Sequence, residues 1–237
     1  MRFQYISDIH LEKGTKINIE KHGDILLLAG DIGDPSTKEY SSFLFDVSSK
    51  FDYVIVIAGN HEFYSKTQSI QMTDHMLRSV ANKCNNVQFL NNEFFDIPGT
   101  DITIYGSTLW SNIDHDVAYD VRCMISDYRC IPGFTIQKNN SLHAEAKHIF
   151  RAGIKAGRRY VVLCHHVPKK SLVHPKYAGS PLNAAFASDV PEFEHPSVVA
   201  IVYGHTHTPC QRGRYYCNPI GYPGENARIS LDSCFEV

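Results

Sequence analysis

The sequence contains six short apolar runs, and each run ends abruptly in glycine or polar residues. Val, Ile, Leu and Tyr dominate these runs, a composition that predicts strands buried on both faces of a sheet. The predicted strands cover residues 3–6, 24–29, 53–58, 102–105, 160–163 and 198–203.

Three stretches between these strands have apolar residues at the spacing of an amphipathic helix. They cover residues 36–49, 65–83 and 141–157, and the last has Ser141 near its start and Gly157 after its end. Strands that alternate with helices favour an α/β architecture with a largely parallel core. The periodicity alone does not count the sheets.

Composition excludes several classes of protein. With 23 basic and 25 acidic residues the formal net charge is −2, so the basic surface that long nucleic acid generally needs is not the default expectation. No apolar run approaches the roughly 18 residues of a membrane span, and the first residues lack the apolar stretch of a secretory signal. Seven cysteines without a Cys-x-x-Cys motif indicate reduced thiols. We therefore expect a cytoplasmic protein with a single domain over residues 1–237.

Carboxylate, amide and imidazole side chains cluster at the carboxyl ends of five predicted strands. They are Asp8 and His10, Asp31, Asn60 and His61, His165, and His205 and His207. Any one of them is more typical of a turn, a cap or a structural histidine. Together they indicate a ligand site, because the strand ends of an α/β sheet meet at one edge.

The side chains at these strand ends supply enough nitrogen and oxygen ligands for two metal ions. Two divalent ions about 3.5–4 Å apart can clamp a phosphoryl group and hold an activated hydroxide between them. One carboxylate can bridge such a pair. A mixed set without thiolate suits Mn, Fe or Zn better than Ca or Mg, and the sequence does not choose among the three.

Five segments also match, in order, the signature blocks of the calcineurin-like metallophosphoesterases. They are Ser-Asp-Ile-His at 7–10, Gly-Asp-Ile-Gly-Asp at 30–34, Gly-Asn-His-Glu at 59–62, His165, and Gly-His-Thr-His at 204–207. The chain resembles this family over nearly its whole length. The resemblance implies a four-layer α/β/β/α sandwich, with two mixed sheets flanked by helices and a two-metal site at the strand ends.

The resemblance also implies roles for individual residues. The first metal would be held by Asp8, His10, Asp31 and His207, and the second by Asp31 as the bridge with Asn60, His165 and His205. His61 matches a histidine that assists the leaving oxygen without binding metal.

Two acidic residues near these blocks have alternative interpretations. Asp34 could orient His61, as a corresponding acid does in related enzymes, or it could start the turn before Pro35. Glu62 could support the metal ligands, but we favour an acid at the start of a helix.

Substrate contacts are less well defined. His165 matches the ligand better than its neighbour His166, which could face the substrate or simply pack. Arg129 is a candidate for the phosphate contact, because a planar guanidinium suits phosphoryl oxygens. Two segments, 111–140 and 169–191, are expected to be loop-rich insertions over the site, with Tyr177, Asn183 and Phe186 as candidates to face the substrate.

The second block lacks the arginine typical of protein phosphatases in this superfamily. The chain is similar instead to small stand-alone bacterial-type members, through Thr108-Leu109-Trp110, Asp127-Tyr128-Arg129, His165–Pro168 and Asn218–Tyr222. The resemblance implies a phosphoesterase that attacks a small phosphate ester with a metal-bound hydroxide. We slightly prefer a diester, because no arginine pair is evident. The alternatives are a nuclease of the same superfamily and a metal-binding scaffold with weak catalysis, and the oligomeric state stays open.

Overall fold

Two β-sheets lie face to face in the computed structural model, which describes residues 1–226 and 229–237. The strands are β1 (Arg2–Ile6), β2 (Ile25–Ala29), β3 (Tyr53–Ile57), β4 (Val87–Phe89), β5 (Glu93–Asp96), β6 (Ile102–Ser107), β7 (Arg159–Cys164), β8 (Val198–Tyr203), β9 (Cys210–Arg212), β10 (Tyr215–Cys217) and β11 (Cys234–Glu236). The α-helices are α1 (Lys38–Ser48), α2 (Ile70–Ala81), α3 (Ala118–Met124), α4 (Asp127–Cys130) and α5 (Ile136–Gly153).

Both sheets are mixed. In the described residues the first sheet has the order β11-β1-β2-β3-β4, in which only β11 is antiparallel to its neighbour. The second has the order β5-β6-β7-β8-β10-β9, in which the two edge strands, β5 and β9, are antiparallel to theirs. This topology confirms the predicted α/β fold with two mixed sheets flanked by helices.

The apolar runs are uninterrupted because both faces of the central strands are covered. In β2, Leu26 and Leu28 face α1 and α2, whereas Ile25 and Leu27 pack against the second sheet. Side chains alternate along a strand, so a strand between two layers needs apolar residues at every position. On the far side, α5 packs on the second sheet through Phe150. The order of layers is helix, sheet, sheet, helix.

The helix boundaries differ from the predicted ones at capping residues. Helix α5 begins five residues earlier than expected, because the Thr135 side chain accepts a hydrogen bond from the Lys138 N–H and caps the helix there. The Ser141 hydroxyl instead donates to the Gln137 carbonyl within the helix. Helix α2 is shorter than predicted and begins after Ser69, whose side chain accepts from the Met72 N–H.

The segment 111–140 is more regular than expected. It contains α3, α4 and the first turn of α5, whereas the segment 169–191 is built mainly of short 3₁₀ turns. The two segments pack on each other through a small apolar cluster that includes Ile113, Val121 and Ala185. Among the residues described, no helix combines the length and the apolar character needed to cross a membrane.

Candidate metal centre and active site

The loops that follow five parallel strands converge at one edge of the two sheets. Five residues of these loops adopt left-handed backbone conformations, with φ of 53° at Asp8, 52° at His10, 53° at Asp31, 73° at His205 and 48° at His207. Such conformations are uncommon for residues other than glycine, and they tend to cluster at functional sites. All five residues are candidate metal ligands, so the uncommon conformations coincide with the predicted site.

Two groups of candidate ligands meet there, joined by a third that overlaps both. Asp8, His10 and His207 form the first group, and Asp31, His165 and His205 form the second, with the ligand atoms in each group within 4.8 Å of one another. His10, Asp31 and His61 meet the same criterion and share a residue with each of these groups. The Nε2 atoms of His10 and His207 are 3.1 Å apart, too close for both to carry protons. In the first group, Asp8 Oδ1 is 3.5 Å from His207 Nε2.

Asp31 belongs to the second group and also lies close to the first. Its Oδ2 atom is 3.4 Å from Nε2 of His165 and 3.8 Å from Nε2 of His10. One carboxylate therefore contacts histidines of both groups, which is the arrangement required of a bridging ligand.

Asn60 completes the second group through its carbonyl oxygen. Oδ1 is 3.1 Å from Nε2 of His165, while the amide nitrogen donates to Oδ1 of Asp127 at 2.8 Å. The Tyr64 hydroxyl donates to the same Asp127 oxygen at 2.6 Å. Because a carboxylate only accepts, Asp127 fixes the orientation of the amide and leaves the Asn60 oxygen facing the histidines.

The carboxylates of this cluster suit divalent cations. Asp8 and Asp31 are 0% and 2% exposed, and within residues 1–226 and 229–237 neither forms an ion pair with Lys or Arg. Burial raises the pKa of Asp31, but the charges of His165, His61 and His10 hold that pKa well below its ordinary value. A buried carboxylate that stays ionised needs a compensating charge, and cations among these oxygen and nitrogen ligands would supply it.

The outer nitrogens of three histidines are held by oxygens. Nδ1 of His10 is 3.0 Å from Glu12 Oε1, Nδ1 of His207 is 2.7 Å from Glu225 Oε2, and Nδ1 of His165 is 2.8 Å from the Ala29 carbonyl. Since a carbonyl only accepts, Nδ1 of His165 carries a proton, and Nε2 is the ring nitrogen that faces the cluster and is available to a metal ion. Metal-binding histidines are commonly oriented in this way.

Glu62 supports the loops of the cluster. Its buried carboxylate accepts hydrogen bonds from the backbone N–H groups of Asp31 (3.1 Å), Ile32 (2.7 Å) and Gly59 (2.7 Å). Glu62 therefore lies at the start of a helical turn, as we preferred, and it also supports the ligand loops, which was the alternative. It stands in a 3₁₀ turn, but its carboxylate joins the loops that follow β2 and β3.

His61 is fixed on three sides at the edge of the cluster. Its Nδ1 is 3.2 Å from Glu12 Oε1, its ring stacks on Tyr64 with centroids 4.3 Å apart, and its Nε2 is 3.4 Å from the Tyr222 hydroxyl. Burial lowers the pKa of His61, but the Asp31 charge and the hydrogen bond to Glu12 outweigh burial and raise that pKa above its ordinary value.

The acid beside His61 is Glu12, and the expectation for Asp34 is corrected. The Asp34 carboxylate accepts from the Ser36 backbone N–H at 2.8 Å, and its carbonyl accepts from Thr37, so Asp34 forms the turn around Pro35. Glu12 was missed by sequence reasoning. The available signal was its position two residues after His10.

A cavity opens above the cluster of candidate ligands. The two candidates for substrate contact, His166 and Arg129, do not line it. His166 is 1% exposed, and its ring packs against His205 with centroids 4.2 Å apart. Arg129 is exposed, and its guanidinium donates to the Cys123 carbonyl at 2.7 Å. Neither side chain is among the described residues that line the cavity.

That cavity has a volume of about 660 Å³ and opens directly onto Asp31, Asn60, His61, His205 and His207. Its walls include Tyr177, Asn183 and Phe186, as expected for the segment 169–191. They also include residues that sequence reasoning missed, namely Lys13, Tyr64, Met124, Ile125, Asp127, Tyr222 and Glu225.

Comparisons with known proteins agree with this fold. An uncharacterized protein of Acanthamoeba polyphaga mimivirus is 29% identical over 236 residues, covering 86% of this chain and 84% of that protein. The crystal structure of a phosphopantetheinyl hydrolase (PptH) from Mycobacterium tuberculosis is similar with a TM-score of 0.73 at 17% identity, covering 95% of this chain and 91% of that one. A protein of Thermus thermophilus, TT1561, gives a TM-score of 0.51 at 11% identity, covering 93% and 88%.

Residues 1–209 match the model of the family described as calcineurin-like phosphoesterase. The match includes all five signature blocks and the loops that carry the cluster. The chain therefore belongs to the calcineurin-like phosphoesterase family.

Proposed function

We propose that this protein is a two-metal phosphoesterase that hydrolyses a small phosphodiester. The observation that carries the proposal is the contact of Asp31 with histidines of two groups of buried and half-buried candidate ligands. The first metal would be held by Asp8, His10, Asp31 and His207, and the second by Asp31, Asn60, His165 and His205. When bound, the two ions would activate a water molecule and offset the negative charge of the phosphoryl oxygens.

His61 is the proposed catalytic acid. Its Nε2 lies at the cavity side of the ring, beside the Tyr222 hydroxyl, and from there it donates a proton to the leaving oxygen. Glu12 accepts from Nδ1 and stops the ring from rotating away, with Tyr64 stacked beneath it. Glu12 is thus a positioning residue, whereas His61 contacts the substrate.

The small number of permanent positive charges in the cavity lining favours a diester over a monoester as the substrate. Of the described residues that line the cavity, Lys13 is the one cation with a permanent charge, and no arginine is among them. A diester carries one negative charge at neutral pH, so it needs fewer cationic contacts than a monoester dianion. PptH is named for a phosphopantetheinyl substrate, but a likeness at 17% identity supports the fold and leaves the substrate open.

Initial rates on two chromogenic esters test the proposal. Protein stripped with chelator and reloaded with Mn²⁺ is assayed on bis(p-nitrophenyl) phosphate and on p-nitrophenyl phosphate. We expect kcat/KM to be at least about tenfold higher for the diester, and both activities to vanish on chelation and return with metal.

Each alternative has its own outcome in this assay. A higher kcat/KM for the monoester would overturn the diester preference but leave the two-metal enzyme in place. Stoichiometric binding of metal without turnover of either ester would overturn the enzyme and favour the scaffold interpretation.

A further inference from the structure

The cavity is far larger than a phosphoryl group requires. Its volume of about 660 Å³ falls within the range of roughly 300–1,000 Å³ that is typical of sites for whole small molecules. Because it opens onto Asp31, His61 and His205, a substituent on the bound phosphorus must extend into it.

Apolar side chains from two separate segments form part of the walls. Met124 and Ile125 come from the segment 111–140, and Tyr177, Leu182 and Phe186 come from the segment 169–191. Met124 is 63% exposed and Tyr177 is 45% exposed, although both are large and apolar. Exposed apolar side chains that surround a cavity mark a ligand surface better than the same residues scattered singly.

The apolar wall begins next to the metal cluster. The Phe186 ring stacks against His205 with centroids 4.8 Å apart and an interplanar angle of 29°. A group attached to phosphorus at the cluster therefore meets the wall directly. The apolar cluster of Ile113, Val121 and Ala185 joins the two segments, so the wall is formed before a ligand binds.

The charged side chains of the cavity are already engaged. Asp127 holds Asn60 and Tyr64, and Glu225 holds His207. Lys13 is then the one described lining residue with a charge available to a ligand. Among the described lining residues, this arrangement leaves Lys13 as the one permanent cation for any further anionic group of a ligand.

We propose that the substrate is a phosphodiester whose substituent is an apolar, ring-sized group that packs between the two segments. The proposal rests on the proposed phosphodiesterase function. A substituent with several further phosphates or carboxylates would lose hydration against the apolar side chains, and Lys13 is the one permanent cation among the described lining residues that would offset its charge.

Calorimetric binding of two phosphodiesters to the Mn²⁺-loaded protein tests the proposal. Diphenyl phosphate and dimethyl phosphate have the same charge and the same phosphoryl group, so the ratio of their Kd values isolates the apolar substituent. We expect diphenyl phosphate to bind at least about tenfold more tightly, since burial of a ring-sized apolar group has an effect of this order.

A double variant locates the contact. Met124→Ala with Tyr177→Ala removes one exposed apolar side chain from each segment, and we expect the affinity ratio to fall about fivefold or more. The matched control is Met72→Ala with Tyr119→Ala, which removes the same residue types at exposed positions that do not line the cavity. In this control variant we expect the ratio of the two Kd values to stay unchanged. Circular dichroism verifies that each variant is folded, and Met124→Ala alone serves as a second variant.

Failure of this proposal and failure of the proposed function give different results. Equal affinities for the two esters, or no measurable binding of diphenyl phosphate, would overturn the apolar site even if bis(p-nitrophenyl) phosphate is hydrolysed. A high affinity ratio that both double variants retain would also overturn it. A high ratio that only the cavity variant loses would support the site, and absence of turnover in the same sample would then count against the phosphodiesterase alone.

Discussion

Glu12 contacts a proposed metal ligand, His10, and the proposed catalytic acid, His61, through a single oxygen atom. Its Oε1 lies 3.0 Å from Nδ1 of His10 and 3.2 Å from Nδ1 of His61. Burial raises the pKa of Glu12, but the hydrogen bonds to these two histidines lower it to about 2. At the scale of single residues, the orientation of His61 therefore depends on a carboxylate that lies just after the first signature block.

Glu12→Gln tests this dependence. An amide cannot accept as strongly from both histidines, so we expect kcat to fall about 10- to 100-fold, as is typical for loss of an outer-shell partner. The loss should be larger for alkyl leaving groups than for p-nitrophenyl, because a poor leaving group needs the proton more. Glu12→Asp should restore part of the activity.

Glu225→Gln is the matched control for this experiment. Glu225 contacts His207 but makes no hydrogen bond with His61 among the described residues. We expect weaker metal binding from this variant without a change in leaving-group dependence. If Glu12→Gln and Glu225→Gln show the same leaving-group dependence, Glu12 does not act through His61.

His61→Ala should remove the acid and leave both metal sites intact. We expect turnover of esters with poor leaving groups to fall by roughly 10²–10⁴, the usual contribution of general acid catalysis. Metal content, measured by atomic emission on the dialysed protein, should stay at the level of the unmodified protein. Unchanged turnover would exclude His61 from the mechanism.

Asp31→Asn tests the bridge. Asp31 contacts histidines of both groups, so its loss should weaken both sites, by at least about tenfold each. Asn60→Ala is the control, because Asn60 contacts only the second group and its loss should weaken one site. Calorimetric titration with Mn²⁺ that shows one intact site in Asp31→Asn would refute the bridging role.

Tight loops at the ends of strands bring these residues together. Gly59 lies in the loop after β3. A Cβ atom added to this residue would lie 2.6 Å from the Asp31 backbone nitrogen and 2.7 Å from Cε1 of His165. A contact of this kind cannot be relieved by rotation of a flexible side chain. At the scale of secondary-structure elements, glycine at this position allows the loops after β2, β3 and β7 to meet.

Gly59→Ala should therefore separate the loops. We expect metal affinity to fall by more than about tenfold, since the displaced residues include the bridge and a ligand. Gly99→Ala is the control, because Gly99 has open space for a Cβ and a φ of 74°. That control should lose about 1–2 kcal/mol of folding stability from backbone strain and keep its metal affinity. Equal metal affinities in both variants would contradict the steric argument.

Strands were predictable to the extent that they are buried on both faces. The run 198–203 has the bounds of β8 itself, and the run 53–58 differs from β3 by one residue. The three-residue strands β4, β9, β10 and β11 and the edge strand β5 were missed, because short strands that are not buried at every position carry no continuous apolar signal.

Stability of the whole molecule should depend on the metals. Asp8 and Asp31 are buried near one another without lysine or arginine partners in the described part of the chain. Ions that bind only the folded state stabilise it by about 2.7 kcal/mol per site at 100 times Kd. For a chain of this size each kcal/mol changes Tm by about 2–4 °C. Removal of both ions should lower Tm by about 10 °C or more.

Differential scanning calorimetry with Mn²⁺ and with EDTA measures this change in Tm. Asp31→Asn should show a smaller difference between the two conditions, because it binds both ions more weakly. An identical Tm with and without EDTA in the unmodified protein would show that metal binding is not coupled to folding.

Local sequence patterns were enough to identify the residues that can act as ligands and the order in which the strands present them. Asp8, Asp31, His165 and His205 each follow a buried strand, and parallel strands bring their carboxyl ends to one edge whatever the intervening chain does. The α/β fold and the cluster of candidate metal ligands were therefore predictable from these patterns. Single-domain organisation and cytoplasmic location stay predictions.

The side chains that surround the cluster depend instead on tertiary packing. Glu12 and His61 are 49 residues apart in the chain, and their contact depends on how two loops pack. The same is true of Met124 and Tyr177, which face one cavity because two segments share an apolar cluster. Such contacts follow from the packing of whole segments, and a local pattern of residues does not specify that packing.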